Sequence, residues 1–187
     1  VVAEADSLLV HKKTILRDTA ALNFAINTLD GPLGYIFAKQ DLAKAYYFMG
    51  RNFYYLNDFS TAADYYILCD RLNPKDPLYK GRVNSCMGYL CKQDSCFEEA
   101  LVLYERANEA FEKSGDEKRI ANGLVSIAEQ YVNLKDYAKA DSVLKLAAQY
   151  QLTDSYRYSV NDAFANHFYR SKSPHSPDSI IYYLRKN

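Results

Sequence analysis

Three stretches of the chain repeat one another at a step of roughly 38 to 40 residues, and a period of that length confines a sequence to stacked supersecondary units. Tyr46-Tyr47-Phe48-Met49-Gly50-Arg51-Asn52-Phe53 aligns with Asn84-Ser85-Cys86-Met87-Gly88-Tyr89-Leu90-Cys91 and with Leu124-Val125-Ser126-Ile127-Ala128-Glu129-Gln130-Tyr131. An aromatic follows at the same distance in each copy (Phe59, Phe97, Tyr137), and three residues on comes Ala (Ala62, Ala100, Ala140). A large apolar residue stands four further (Tyr66, Tyr104, Leu144) and a small one three beyond that (Cys69, Ala107, Ala147).

Spacings of three and four place Tyr46, Met49, Gly50 and Phe53 on one helical face. Gly50, Gly88 and Ala128 are positioned to cross a second helix at Ala62, Ala100 and Ala140. Small residues at both places let two backbones approach, while the large residues between them fill the groove. Polar breaks at Leu56-Asn57-Asp58, Lys92-Gln93-Asp94-Ser95 and Leu134-Lys135-Asp136 separate first helix from second. Asp58 and Asp136 stand where a carboxylate caps the second helix, and Glu98-Glu99 favours a first turn. Each copy is therefore an antiparallel helix pair.

The pattern resembles the tetratricopeptide repeat. The first copy carries the fullest set of its positions, with Tyr46, Met49, Gly50, Phe53, Ala62, Tyr66, Cys69 and Pro74; the second and third lack the terminal Pro, and the third has Ala128 for Gly. The resemblance implies an all-α fold, a right-handed superhelix of antiparallel helix pairs. On it, residues 1–42 form an N-terminal helical cap or degenerate repeat. Residues 43–80, 81–120 and 121–154 form three repeats, and 155–187 a partial, degenerate fourth. In the first segment Thr14 to Leu29 reads as a helix stopped by Asp30-Gly31-Pro32. In the last, Ser159 to Tyr169 has helical spacing, Ser171 to Pro177 reads as a loop, and a further helix starts at Asp178. A solenoid ends on a polar capping helix, so the natural protein is expected to continue past Asn187, and a chain starting at Val1 without Met is expected to be a trimmed piece.

Charge narrows the partners. Lys plus Arg and Asp plus Glu both number 23, so no excess of basic residues marks a nucleic-acid face or an anionic membrane surface. With 49% hydrophobic residues the chain is too apolar for disorder. No uncharged apolar run approaches the roughly 18 to 20 residues of a membrane span; the stretch from Thr19 to Leu29 stops at Asp30.

Motifs for catalysis are missing. His11, His167 and His175 lack the spacing of a helical zinc pair and read as exposed or loop residues. Asp30-Gly31-Pro32-Leu33-Gly34 has Pro where a phosphate-cradling N–H is required. Cys86, Cys91 and Cys96 fall five apart, about 140° per step, so neighbours on one helix cannot bridge. Cys69 fills a small buried column, and Cys69–Cys91 is the one pairing between adjacent helices to check. The four thiols read as structural. The sequence thus predicts a protein that is not an enzyme, with no cofactor and no metal.

What remains for function is a surface. Of the 18 Tyr, five stand at packing positions (Tyr46, Tyr66, Tyr104, Tyr131, Tyr137) and three on the other side of the first helices (Tyr47, Tyr54, Tyr89). In the tetratricopeptide family that side lines the concave surface where peptides lie. The corresponding columns hold Lys44, Tyr47, Arg51 and Tyr54, then Arg82, Ser85 and Tyr89, then Asn122, Ser126 and Glu129. An ordinary solvated face is the alternative for this set. Tyr and Arg are the residues that dominate binding hot spots. The carboxylate clamp for chaperone tails is absent, since its columns hold Tyr47, Arg51, Asn122 and Ser126. Asp41 to Gly50 and Lys118 to Leu124 look like tetratricopeptide proteins of bacterial envelopes, which implies an extracytoplasmic, secreted or lipid-anchored location. Three functions follow as expectations: a scaffold binding a protein or peptide segment in the groove, the sensing domain of a membrane-anchored transcriptional regulator, or a structural module self-associating through the solenoid ends. Nucleic acid is not expected to touch this part of the chain.

Overall fold

A computed structural model of the chain describes residues 2–29, 31, 38–150 and 153–172. Among them the ordered elements are all helices: α1 (Val2–Leu29), α2 (Lys39–Tyr55), α3 (Phe59–Arg71), α4 (Pro77–Gln93), α5 (Phe97–Ser114), α6 (Glu117–Asn133), α7 (Tyr137–Ala147) and α8 (Asp154–Ser171). They fall into two compact units, Val1–Val83 and Asn84–Asn187.

In the first unit α2 packs against both α1 and α3. Ile15, Thr19 and Ile26 form the buried stripe of α1, and the Asn52 side chain donates to the Thr19 hydroxyl at 3.2 Å. The α2–α3 contact is the tightest point. A methyl group built on Gly50 would stand 2.6 Å from the Tyr66 ring and 3.1 Å from the Ala62 carbonyl oxygen. The short turn between the two helices makes them antiparallel, and Tyr66, Met49, Ala62 and Cys69 are sealed beneath it.

The second unit holds a core of Ala100, Tyr104 and Ile127, with Cys91, Leu101, Tyr131 and Val143 packed against it. Gly88 of α4 lies against Tyr104 and the Ala100 carbonyl at 3.2 and 3.3 Å, a slightly looser version of the Gly50 crossing. Helix α6 packs on α5, α7 and α8, and α7 on α8. The Tyr156 hydroxyl donates to the carbonyl of Ala147 at 2.7 Å, fastening the start of α8 to the end of α7.

One backbone turn recurs at the step read in the sequence. Asn57, Ser95 and Lys135 all adopt left-handed conformations, with φ of 61°, 62° and 64°. The next residue then donates back to a carbonyl five positions earlier: Asp58 to Phe53 at 3.0 Å, Cys96 to Cys91 at 2.9 Å and Asp136 to Tyr131 at 2.9 Å. This 6→1 bond reverses the chain by satisfying carbonyls orphaned at a helix end. Asp58 and Asp136 then cap the following helices, accepting from Thr61 and Lys139.

The ends of the chain differ from expectation. Helix α1 begins at Val2, well before Thr14, and Ser171 is the last residue of α8 instead of the first of a loop. The helix expected from Asp178 lies outside the described residues, as do Asp30 and Pro32 of the expected turn.

Candidate functional site

Five of the residues expected to contact a partner belong to the first unit. Lys44, Tyr47 and Arg51 are spaced three and four apart along α2 and so share a face, and Arg82 is on the first half of α4. The residue that joins them was not anticipated. The ring of Tyr79 has the Lys44 ammonium 5.8 Å from its centroid and the Arg82 guanidinium at 5.4 Å. Both lie within cation–π range. Arg82 Nε is buried and has no hydrogen-bond partner. Lys44 also approaches Asp41, at 3.7 Å on an exposed turn.

Arg51 spans a second aromatic set, 5.9 Å from the rings of both Tyr47 and Phe48 and 5.5 Å from that of Tyr55. Its Nη2 donates to the Tyr55 hydroxyl at 3.2 Å. Tyr47 departs from expectation: placed by its column on the accessible side, it is buried, 5% exposed. The cause is Tyr79, whose ring meets it edge-on at 5.5 Å, while Tyr66 approaches at 6.3 Å. Tyr47 is thus the floor beneath the cations. Tyr54 is turned toward Tyr55 and Phe59 at the α2–α3 turn and is not brought to the Tyr79 group.

The other five residues belong to the second unit. Tyr89 is exposed, and its negative form is one of the influences that, after burial and Glu129, push the Tyr104 hydroxyl well above its usual range. Glu129 is held by Lys92 at 2.5 Å, a partner the repeat columns did not indicate. Ser85 and Ser126 are half-buried, and Asn122 is exposed with its side chain donating to the Lys118 carbonyl at 2.8 Å. These five are two polar groups on α4 and α6 with no aromatic cluster like that of the first unit.

Phe48, Tyr55, Tyr79 and Lys92 therefore escaped the reading by columns. For two of them a local signal existed, since Tyr55 stands four residues after Arg51 and Tyr79 three before Arg82, the spacings of same-face neighbours. His167 also differs from expectation. It is buried on α8 between the rings of Tyr137 and Phe168, with Nδ1 unpartnered. Burial holds its pKa below the usual 6.5, with Asp141 opposing and Lys145 reinforcing the effect. None of the four cysteines is bridged, Cys69 and Cys91 included. Among the described residues no group of His, Cys, Asp and Glu is placed to hold a metal ion, and no helix is long and apolar enough to cross a membrane.

No protein-family model matches the sequence, and no curated protein matches it either. Among solved structures, the crystal structure of BtubC (BKLC) from P. vanneervenii matches with a TM-score of 0.74. The match covers 98% of this chain and 78% of that one at 15% identity. At that identity the likeness is one of fold.

Proposed function

We propose that the chain is a tetratricopeptide-type scaffold, non-catalytic, that binds an acidic segment of a partner protein on the cation-bearing face of its first unit. The observation carrying this reading is the Tyr79 ring with the Lys44 ammonium 5.8 Å and the Arg82 guanidinium 5.4 Å from its centroid. Arg82 as a whole is half-buried, and a carboxylate is the ligand that meets a guanidinium with charge-assisted bonds. The aromatic floor of Tyr47, Phe48 and Tyr79 fixes the cations before binding, so a flexible partner bears most of the ordering entropy. The recurring turns at Asn57, Ser95 and Lys135 and the close crossings at Gly50 and Gly88 support the repeat assignment. Tyr89, Ser85, Asn122, Ser126 and Glu129 are proposed as partner contacts of the second unit taken by itself.

Fluorescence polarisation with a peptide panel tests the reading, each sequence supplied in an acidic form and in its Asn/Gln counterpart. Acidic members should bind in preference, and Arg82→Ala should weaken them roughly tenfold, about 1.4 kcal/mol. Equal binding of acidic and amide forms, or unchanged binding by folded Arg82→Ala and Arg51→Ala/Tyr89→Ala proteins, would remove it.

A further inference from the structure

Of the three equivalent turns, the one between α4 and α5 is built differently. In the other two, the residue after the left-handed position is an aspartate that caps the next helix. Here it is Cys96, whose side chain makes no capping bond to α5 and instead contacts the Asp94 carbonyl at 3.7 Å. A cap favourable for helix stability is given up at this turn alone. The residue at the other end of the 6→1 bond is also a cysteine: Cys96 N–H donates to the Cys91 carbonyl at 2.9 Å. The corresponding partners of Asp58 and Asp136 are Phe53 and Tyr131.

The 6→1 bond draws the first and sixth residues of this motif together, and a contact between the side chains at these two positions frequently accompanies it. Five residues of continuous helix would rotate Cys91 and Cys96 about 140° apart, but α4 ends at Gln93 and Ser95 turns the chain back. The pair therefore escapes the helical restriction that still separates Cys86 from Cys91. Cys96 is exposed and Cys91 half-buried against the core of the second unit. Burial pushes the Cys91 thiol up, and the next contribution is the charge of Cys96, with Glu99 and Asp94 behind it.

We infer that Cys91 and Cys96 are a redox-active pair that closes into a disulfide across the α4–α5 turn by exchange with an external disulfide of the glutathione class. Exposed Cys96 reacts first. Its thiolate attacks one sulfur of the external disulfide, forming a mixed disulfide and expelling one thiolate, which takes a proton from solvent. Cys91 then loses its proton to solvent, attacks Cys96 Sγ and expels the second external thiolate, which takes up a proton from solvent. Two cysteine thiols are oxidised to one disulfide and one external disulfide is reduced to two thiols. An exposed disulfide of this kind is readily reduced again.

The experiment incubates the whole reduced chain with oxidised glutathione, alkylates residual thiols and maps peptides by mass spectrometry. The expected product has lost two hydrogens and two alkylatable thiols, links Cys91 to Cys96, and reverts with excess reduced glutathione. Cys91→Ser should stop at a stable glutathione adduct on Cys96. Cys96→Asp should abolish the linkage, and its restored cap keeps the variant folded, as a raised thermal midpoint would verify. Cys86→Ser should react as the parent does. A parent protein that accumulates the Cys96 adduct while Cys91 stays alkylatable, or that links Cys86, would overturn the inference.

Discussion

Gly50 and Tyr66 touch so closely that there is no room for one more carbon: a methyl group at Gly50 would lie 2.6 and 2.7 Å from two ring atoms. Tyr66 is 1% exposed, so its ring cannot yield without disturbing the packing around it. Overpacking of this kind costs about 1–3 kcal/mol, and the gain in helix propensity from Ala returns only about 1 kcal/mol of it. Gly50→Ala should therefore lower stability in urea unfolding. Gly88→Ala meets Tyr104 and Ala100 at 3.2 and 3.3 Å, contacts a few tenths of an ångström can relieve. It should be close to neutral, and a larger loss at Gly88 than at Gly50 would contradict the geometry.

That contrast also marks what the sequence discloses. The repeat columns state residue size at each crossing, so the places of Gly50, Ala62 and Tyr66 are legible in the sequence, and Asp58 and Asp136 announce their caps by position. Contacts made off the columns leave no such trace. Tyr79 covers Tyr47 from the next helix, which is why a residue assigned to an accessible face is buried. His167 is enclosed by α7, and the fourth segment is too degenerate for its columns to mark that position as buried. The Cys91–Cys96 relation was hidden for a different reason: the polar break at Lys92 to Ser95 marks where α4 stops, but not that Ser95 turns left-handed and brings the Cys96 N–H back to the Cys91 carbonyl.

Tyr156 makes stability sensitive to alkali. Its hydroxyl donates to Ala147 and approaches the Ala121 carbonyl at 3.4 Å, and burial pushes its pKa up from 10.0 to about 12. The neutral phenol is thus favoured in the fold. Its contribution is fully present below pH 10, where folded and unfolded chains both hold the proton, and is lost as pH rises toward 12. Chemical denaturation at stepped pH should show stability falling above about pH 10. Tyr156→Phe should cost about 1 kcal/mol at neutral pH by removing its bond to the Ala147 carbonyl, which then keeps only the Tyr150 N–H at 3.2 Å, and should make the alkaline limb shallower. A variant with an unchanged limb would separate that limb from this hydroxyl.

His167 acts at the other end of the scale. Its pKa is lowered by burial, so the folded state holds it neutral while the unfolded chain takes up a proton near pH 6.5. Stability is complete above that value and declines as pH falls through it. The groups facing the ring from α7 are Tyr137, Asp141 and Lys145, the last two paired with each other at 2.6 Å. His167→Phe keeps the aromatic volume and removes the unpartnered Nδ1. It should be neutral or stabilising by up to ~1 kcal/mol at pH 7 and should flatten the decline between pH 7 and 5. Thermal melts across that interval decide the matter, and an identical decline in the variant would assign it to carboxylates elsewhere.

Asn108 and Gly123 offer a test by compensation. Asn108 is buried on α5, its Nδ2 donating to Glu112 at 3.1 Å and its Oδ1 without a partner. That oxygen would lie 2.6 Å from a methyl group on Gly123. Gly123→Ala alone should destabilise by ~1–2 kcal/mol, because the amide must shift from its bond to Glu112 to make room. In an Asn108→Ala background the obstacle is gone and only helix propensity remains, so the same substitution should stabilise by ~1 kcal/mol. A double-mutant cycle in urea should give a coupling of at least ~2 kcal/mol with this reversal of sign. Additive effects would mean that the close approach at Gly123 is relieved by the backbone and not by Asn108.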